Sequence, residues 1–567
     1  MKGKNSLQDN LLIKTFEEFV NNIDYSFIDN LKEDPEATQD GNDFIPRQVF
    51  SGHYVPVKPT PLSSPEYVAH SKNLFTELGI SNLLLEDKDF KKLFSGDLSS
   101  FKKPMRNFGW ATGYALSIYG REYNQQCPFK TGNGYGDGRA ISVFEGIFKG
   151  KRFEMQLKGS GPTPYCRGGD GRAVLRSSVR EFLAQELMHS LGIPTTRSLT
   201  LYLSKTDKII RPWYKENSKE IEPEVLVENQ AAISTRVAPS FLRIGQIELF
   251  ARRVKNNSHN EALSELKMII KRLIIVNYKN DIDINLPFKE QIINLAFLYR
   301  ERLISLVVNW IRVGYCQGNF NSDNCALGGY TLDYGPFGFC ELFDPNFQPW
   351  TGGGNHFSFL NQPAAAEINF NMFIKSLKLA LENEGDLLER LDIIQQDFKI
   401  SMQEKIKIMW TRKLGLKEYD ESLLNNLFQL MIITKVDYTK FFRLLSDIPK
   451  EISSLKKSFY QDCSIEIDSL WNNWLKAWYK SLKQVNDINK ISLDMKKVNP
   501  RYTWREWLIS FAYKAAERGD FSLIKELQVV FDNPYEDLSI DLQNKYDLIR
   551  PLKFFNKGGI SHYSCSS

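Results

Sequence analysis

Gln317-Gly318-Asn319-Phe320-Asn321-Ser322-Asp323-Asn324, followed shortly by Asp333-Tyr334-Gly335, is the most telling run in this 567-residue chain. Asp323, Asn324 and Asp333 bring hard oxygen donors to the two sides of a short hairpin. That donor type suits Mg2+ or Mn2+ held on phosphates. Taken alone, Asp-Tyr-Gly is an ordinary turn. Its meaning comes from what stands upstream, and in what order.

Fourteen of the 35 glycines lie between Gly109 and Gly171. Within that span, Gly132-Asn133-Gly134-Tyr135-Gly136-Asp137-Gly138-Arg139 precedes a strand pattern over 140–148. Glycines at alternate positions let backbone N–H groups close around phosphate oxygens, and Arg139 adds charge. By itself such a run is more often a plain glycine-rich turn. Phe153-Glu154-Met155-Gln156-Leu157-Lys158 alternates apolar and polar residues, which predicts a strand with Lys158 on its polar face. Gly159 to Arg172, including Asp170 and Gly171, forms a long polar glycine-rich loop of the kind that tends to carry function. Arg176 to Gly192 reads as a helix stopped by Gly192 and Pro194. Its Glu181 has two readings: the partner that orients Lys158, or a capping-box mate of Ser178. Ile233 to Ile274 reads as largely helical, with Pro239 a break. Arg236 and Arg243, seven apart, would share a face of an unbroken helix and suit a polyphosphate.

Glycine loop, strand lysine, helix glutamate, then Asn and Asp-x-Gly is the order of parts in protein kinases. Aligned on Asn324, the kinase His-Arg-Asp positions hold Gln317, Gly318 and Asn319. An asparagine cannot accept a proton as a carboxylate does. The metal-holding half of such a site is therefore present without its usual base. No GxxxxGK[ST] occurs, so a P-loop is not supported.

Composition bounds the rest. Apolar residues make up 42% and charged residues 25%, as in a globular protein. A net charge of +5 on this length gives no argument for nucleic acid. None of the seven cysteines forms a CxxC pair, so neither zinc nor a disulfide framework is indicated. There is no apolar run of about 20 residues and no signal-like N-terminus. The expectation is a cytoplasmic protein without nucleic acid or membrane partners. From about Asn369 onward the pattern is almost wholly helical.

Gln156-Leu157-Lys158-Gly159-Ser160-Gly161-Pro162-Thr163-Pro164-Tyr165, Gly169-Asp170-Gly171-Arg172-Ala173-Val174-Leu175-Arg176-Ser177-Ser178, Leu191-Gly192-Ile193-Pro194-Thr195-Thr196-Arg197 and Leu332-Asp333-Tyr334-Gly335-Pro336-Phe337-Gly338-Phe339 resemble the selenoprotein O family, the YdiU-type protein adenylyltransferases. The end, Ser564-Cys565-Ser566-Ser567, resembles the family's tail, with Cys565 where some members carry selenocysteine. The resemblance implies an α+β, protein-kinase-like bilobal fold. Its parts would be an N-terminal extension over 1–100, an N-lobe-like nucleotide-binding region over 101–225, a C-lobe-like catalytic and metal-binding region over 226–368 and a helical C-terminal region over 369–567. It implies ATP bound in reverse, so that AMP passes to a protein Ser, Thr or Tyr hydroxyl and pyrophosphate leaves. Gly136, Gly138, Arg139, Lys158, Asp170, Gly171, Arg236, Arg243 and Asp333 would contact nucleotide. Glu181 would orient Lys158, Asn324 and Asp333 would hold Mg2+ or Mn2+, and Asp323 would accept the proton.

Two departures stand out. Gln317 replaces a histidine usual in the family. The run Asp344-Pro345-Asn346-Phe347-Gln348-Pro349-Trp350 lacks the cysteine that can pair with the C-terminal one, which puts redox control through Cys565 in doubt. Transfer of UMP from UTP is not separated from adenylylation, because the named residues hold phosphates rather than the base. Asn319 argues against a γ-phosphate kinase. Lys158, Glu181, Asn324 and Asp333 together argue against a non-catalytic scaffold.

Overall fold

The computed structural model describes residues 12–118, 121–122, 135–382, 384–482 and 487–561. Gly132, Gly134, Cys127 and Cys565 lie outside them. The architecture is mixed: a large antiparallel sheet followed by many helices.

The sheet contains β1 (Tyr54–Val57), β2 (Pro65–His70), β3 (Gly109–Thr112), β4 (Ala140–Phe148), β5 (Lys151–Lys158), the short β6 (Ala173–Val174), β7 (Arg197–Trp213) and β8 (Val225–Ala238). Their spatial order is β1-β3-β4-β5-β8-β7-β2, with β6 on β8. Alternation in β5 sends Phe153, Met155 and Leu157 into an apolar core and leaves Gln156 and Lys158 on the opposite face. The N-terminal segment covers the apolar side. Phe19 packs on Phe144 with ring centroids 4.7 Å apart and meets Phe90 and Phe94 edge-on.

Register decides what shares the polar face. Ser234 of β8 stands opposite Lys158, and Arg236 opposite Gln156. The helical reading of 233–274 is thus wrong in its first part. Residues up to Ala238 belong to β8, and helix begins only at α2 (Ile244–Lys255), continuing in α3 (Ala262–Leu273) after α1 (Leu175–Ser190). β8 is paired along both edges, to β5 and to β7. Those two ladders outweigh a local pattern compatible with helix. Pro239 marks the exit from a strand, not a kink. A short helix, Lys72–Leu78, follows β2 and is terminated by Gly79 in the left-handed conformation; β2 itself pairs with β7.

Downstream, α4 (Phe288–Val313) ends at Gly314, also left-handed at φ 82°. Tyr315 and Cys316 then pair with Phe339 and Gly338. This two-residue ladder closes the loop 317–337, which carries the decisive stretch. α5 (Gln362–Ala380) packs behind it, where Asn369 Nδ2 donates to the Phe320 carbonyl at 2.8 Å. Most of the remaining chain is helical, as expected. Among the described residues no helix is long and apolar enough to cross a membrane.

Candidate functional site

Three elements converge on Lys158. It ends β5 with its side chain on the polar face, and its Nζ lies 2.6 Å from Glu181 Oε2 and 2.7 Å from Asp333 Oδ1. Glu181 comes from α1, whose N-cap Val174 makes no side-chain cap. The capping-box reading of Ser178 and Glu181 is therefore corrected. The helix starts earlier, and Glu181 is buried facing Lys158. Arg236 NH1 lies 2.8 Å from Asp333 Oδ1 and 3.6 Å from Glu181 Oε1. Two cations thus meet two carboxylates, with Glu181 and Arg236 buried and Asp333 a quarter exposed to the cavity.

Arg243 arrives by another route than a shared helix face. It is the N-cap of α2, where its backbone N–H donates to Gln246 Oε1 at 2.9 Å. Its guanidinium lies 2.8 Å from Asp137 Oδ1 and 4.4 Å from the Tyr114 ring centroid, and donates to the Asp323 carbonyl at 3.2 Å. Strand β8, the 239–243 turn and the loop pairing of Arg243 with Ala326 bring Arg236 and Arg243 together.

The glycine-rich stretches are shaped by close backbone approach. Gly171 has φ +64°, and a Cβ there would sit 1.9 Å from the Gly161 carbonyl oxygen; a Cβ on Gly136 would sit 2.4 Å from that of Thr112. Neither position accepts a side chain without moving backbone. Asp170, beside Gly171, pairs with Arg211 of β7 at 2.5 Å.

These segments enclose a cavity of 590 Å3. Of the residues singled out in the sequence, Gly138, Arg139, Lys158, Asp170, Gly171, Arg236, Arg243, Asp323, Asn324 and Asp333 line it. Glu181 stands behind Lys158, and Gly136 packs against Tyr165. Sequence reasoning missed Tyr114, Tyr135, Arg167 and Arg211 in the lining. Arg211 sits on β7, but nothing in its local pattern says that its face turns toward the cavity. A separate cavity of 530 Å3 beside Pro239 and His189 shares no lining residue with it. Its Arg152, Arg197 and Arg302 are each already committed to carboxylates.

The carboxylates differ in charge state. Burial alone would raise Asp333, but Lys158 and Arg236 outweigh it and hold its carboxyl well below the usual range. Burial pushes Asp323 up to about 7, against the pull of Arg243 and with the help of the Asp333 charge. Its Oδ1 is sealed from water without a hydrogen-bond partner, so nothing there offsets the cost of the charged form.

Asn319, where a kinase has its aspartate, buttresses the loop instead. Its carbonyl accepts from Asn324 Nδ2 at 2.9 Å, and its Oδ1 accepts from Asn321 at 2.8 Å. Gln317, at the variant position, donates from Nε2 to the Asp333 carbonyl at 2.9 Å. The Asn324 amide oxygen and Asp333 Oδ2 accept no hydrogen bond among the described residues and face a cavity already lined by cations. They fit a hard divalent cation that takes its other ligands from phosphate and water. A closed protein cage is not present: no group of three or more His, Cys, Asp or Glu that could hold a metal occurs among the described residues.

Sequence comparison points to one family. The family model for protein adenylyltransferase SelO matches residues 43–531. A protein nucleotidyltransferase YdiU of Aromatoleum aromaticum is 33% identical over 96% of this chain and 99% of its own length. That of Flavobacterium johnsoniae is 32% identical over the same shares. That of Cytophaga hutchinsonii is 33% identical over 92% of this chain and 95% of its own length.

Proposed function

The chain belongs to the SelO family of protein adenylyltransferases, and on that premise we propose that it transfers AMP from ATP to a Ser, Thr or Tyr hydroxyl of a protein, releasing pyrophosphate. It is a nucleotidyltransferase. Its kinase-like division into two lobes, with an extension over 1–100 and a helical region after 369, and its cytoplasmic setting belong to the same proposal.

The observation that carries the reading is the meeting of Lys158 with both Glu181 and Asp333 above a cavity that also holds Arg236 and Arg243. Such a cluster of cations offsets a triphosphate, and phosphoryl-type transfer needs mostly positioning and charge neutralisation. Gly138, Gly171 and Arg139 bring backbone and charge to the phosphates, and Asp170 restrains the loop through Arg211. A Mg2+ or Mn2+ ion held by Asn324 and Asp333 would neutralise charge on the phosphates.

Asp323 is the proton acceptor in this reading. The acceptor hydroxyl gives its proton to the Asp323 carboxylate, which lines the cavity, as its oxygen bonds to the α-phosphorus. The bond from that phosphorus to the bridging oxygen breaks, and pyrophosphate leaves with the electron pair. A carboxyl near 7 suits this task, because it is strong enough to take a proton and still ionised in part at neutral pH. Asn319 cannot take that role.

The test is transfer from ATP labelled at the α or the γ position to a protein acceptor. Label from α alone is expected. Label from γ alone would make the chain a kinase, and tight ATP binding with neither would make it a scaffold. Repeating the assay with α-labelled UTP decides between AMP and UMP, which the phosphate contacts do not distinguish.

A further inference from the structure

The helices that follow residue 369 have so far no task, yet two of them lie along α1, the helix that carries Glu181. They are α6 (Glu506–Ala516) and α7 (Ser522–Asp532). Arg180, next to Glu181, pairs with Glu506 of α6 at 2.9 Å, and each side chain is only 3% exposed. The contact is electrostatic, its N–H alignment falling short of a hydrogen bond.

The same guanidinium lies 5.0 Å from the Phe337 ring centroid. Phe337 follows Asp333 in the closing part of the catalytic loop and packs against Tyr334 and Tyr315. Trp504 completes a ring of contacts. Its indole meets Phe337 edge-on at 5.2 Å, and its Nε1 donates to Glu506 Oε2 at 2.8 Å. So Arg180, Glu506, Trp504 and Phe337 hold one another in turn. One member adjoins Glu181 and another sits on the segment of Asp333, and those are the two carboxylates that bracket Lys158.

We propose that Arg180 and Glu506 are positioning residues for the transfer, through which the C-terminal helices set the spacing of Glu181 and Asp333 around Lys158. This rests on the function proposed above. Neither residue lines the cavity, so neither touches nucleotide. A buried charge is stable only where its partner is, so the pair allows one seating of α1 on α6. An offset of about 1 Å at reacting groups costs up to about a hundredfold in rate. The pair therefore acts on turnover more than on nucleotide affinity.

The experiment compares Glu506→Gln and the double variant Arg180→Met with Glu506→Met against the wild type in the full-length protein. The first keeps an acceptor for Trp504 and removes only charge. The second removes both members of the pair, so neither is left as a lone buried charge, and it answers the question if the first fails to fold. Kinetics of α-label transfer and hydrogen exchange of the α1 amides, referred to α4 in the same sample, are read together. Expected are a roughly tenfold fall in kcat, KM for ATP within about threefold, and faster exchange in α1. A folded variant with wild-type kcat and unchanged α1 exchange overturns the proposal, as does a loss confined to KM. Wild-type protein that transfers no α-label would count against the proposed function, and α1 exchange would still decide whether the pair seats that helix.

Discussion

Replacing Lys158 by methionine removes the cation that lies within 2.7 Å of both Glu181 and Asp333 while keeping an unbranched chain of similar length. At 2.7 Å and an effective dielectric of about 20, its attraction to Asp333 is roughly 6 kcal/mol before desolvation is subtracted. Desolvation of a buried ammonium takes back much of this. Arg236 remains 2.8 Å from Asp333 and 3.6 Å from Glu181, so neither carboxylate is left wholly uncompensated. The folding cost is then about 2 kcal/mol, below the ~3–5 kcal/mol of an unpaired buried charge. The effect on transfer is larger. A preorganised donor aimed at developing charge in a dry site contributes about 3–4 kcal/mol, or 10²–10³ in rate. Initial rates of α-label incorporation at several ATP concentrations, beside a melting curve, separate the two effects. A Lys158→Met protein that melts a few degrees lower but keeps kcat/KM for ATP within about threefold would refute the phosphate role and the reasoning from this cluster.

Asp323→Asn should lower transfer by about 10²–10⁴ while ATP binding, followed by calorimetry, stays within a few-fold; wild-type turnover in that variant would remove it as proton acceptor. Chelation by EDTA should abolish transfer and added Mg2+ or Mn2+ restore it, whereas Asp333→Asn should need far more metal for the same rate; activity indifferent to chelator would sink the Asn324 and Asp333 assignment. Glu154 gives a stability test away from the chemistry. Burial, with the Glu145 charge adding to it, raises its carboxyl to about 7. The folded form therefore holds a proton that the unfolded form releases near 4.5, and this contribution is full below the unfolded value and lost as pH rises through about 7. Glu154→Gln should then gain on the order of 3 kcal/mol over wild type at pH 8 and almost nothing at pH 4. Equal melting temperatures of the two proteins at pH 8 would contradict the shift.

How much of this was legible in the chain depends on the range of the interactions involved. Strands 140–148 and 151–158 and the helix ending at Ser190 announce themselves by alternation and by a glycine-proline stop, which are local signals. The span 233–238 did not, because it was read as the start of a helix and only two flanking ladders make it a strand. Arg236 and Arg243 both line the cavity, but from a strand and a helix N-cap instead of one helix face. Arg211 and Arg167 were missed because a side chain's direction into a cavity depends on elements far along the chain.

Residue chemistry and order were determined by the sequence alone: a glycine loop, then Lys158, Glu181, paired arginines, Asp323-Asn324 and Asp333, with no carboxylate at Asn319. Those are properties of side chains and of spacing, and they need no partner to exist. Only the tertiary structure decided that Glu181 faces Lys158 instead of capping its helix, that Asn319 buttresses Asn324, and that the Asp323 oxygen is sealed from water. It also decided that a helix beginning at Glu506 bears on the site. Each of these depends on how the elements pack and on which side chains are buried together, where desolvation makes a charge costly unless its partner is in place.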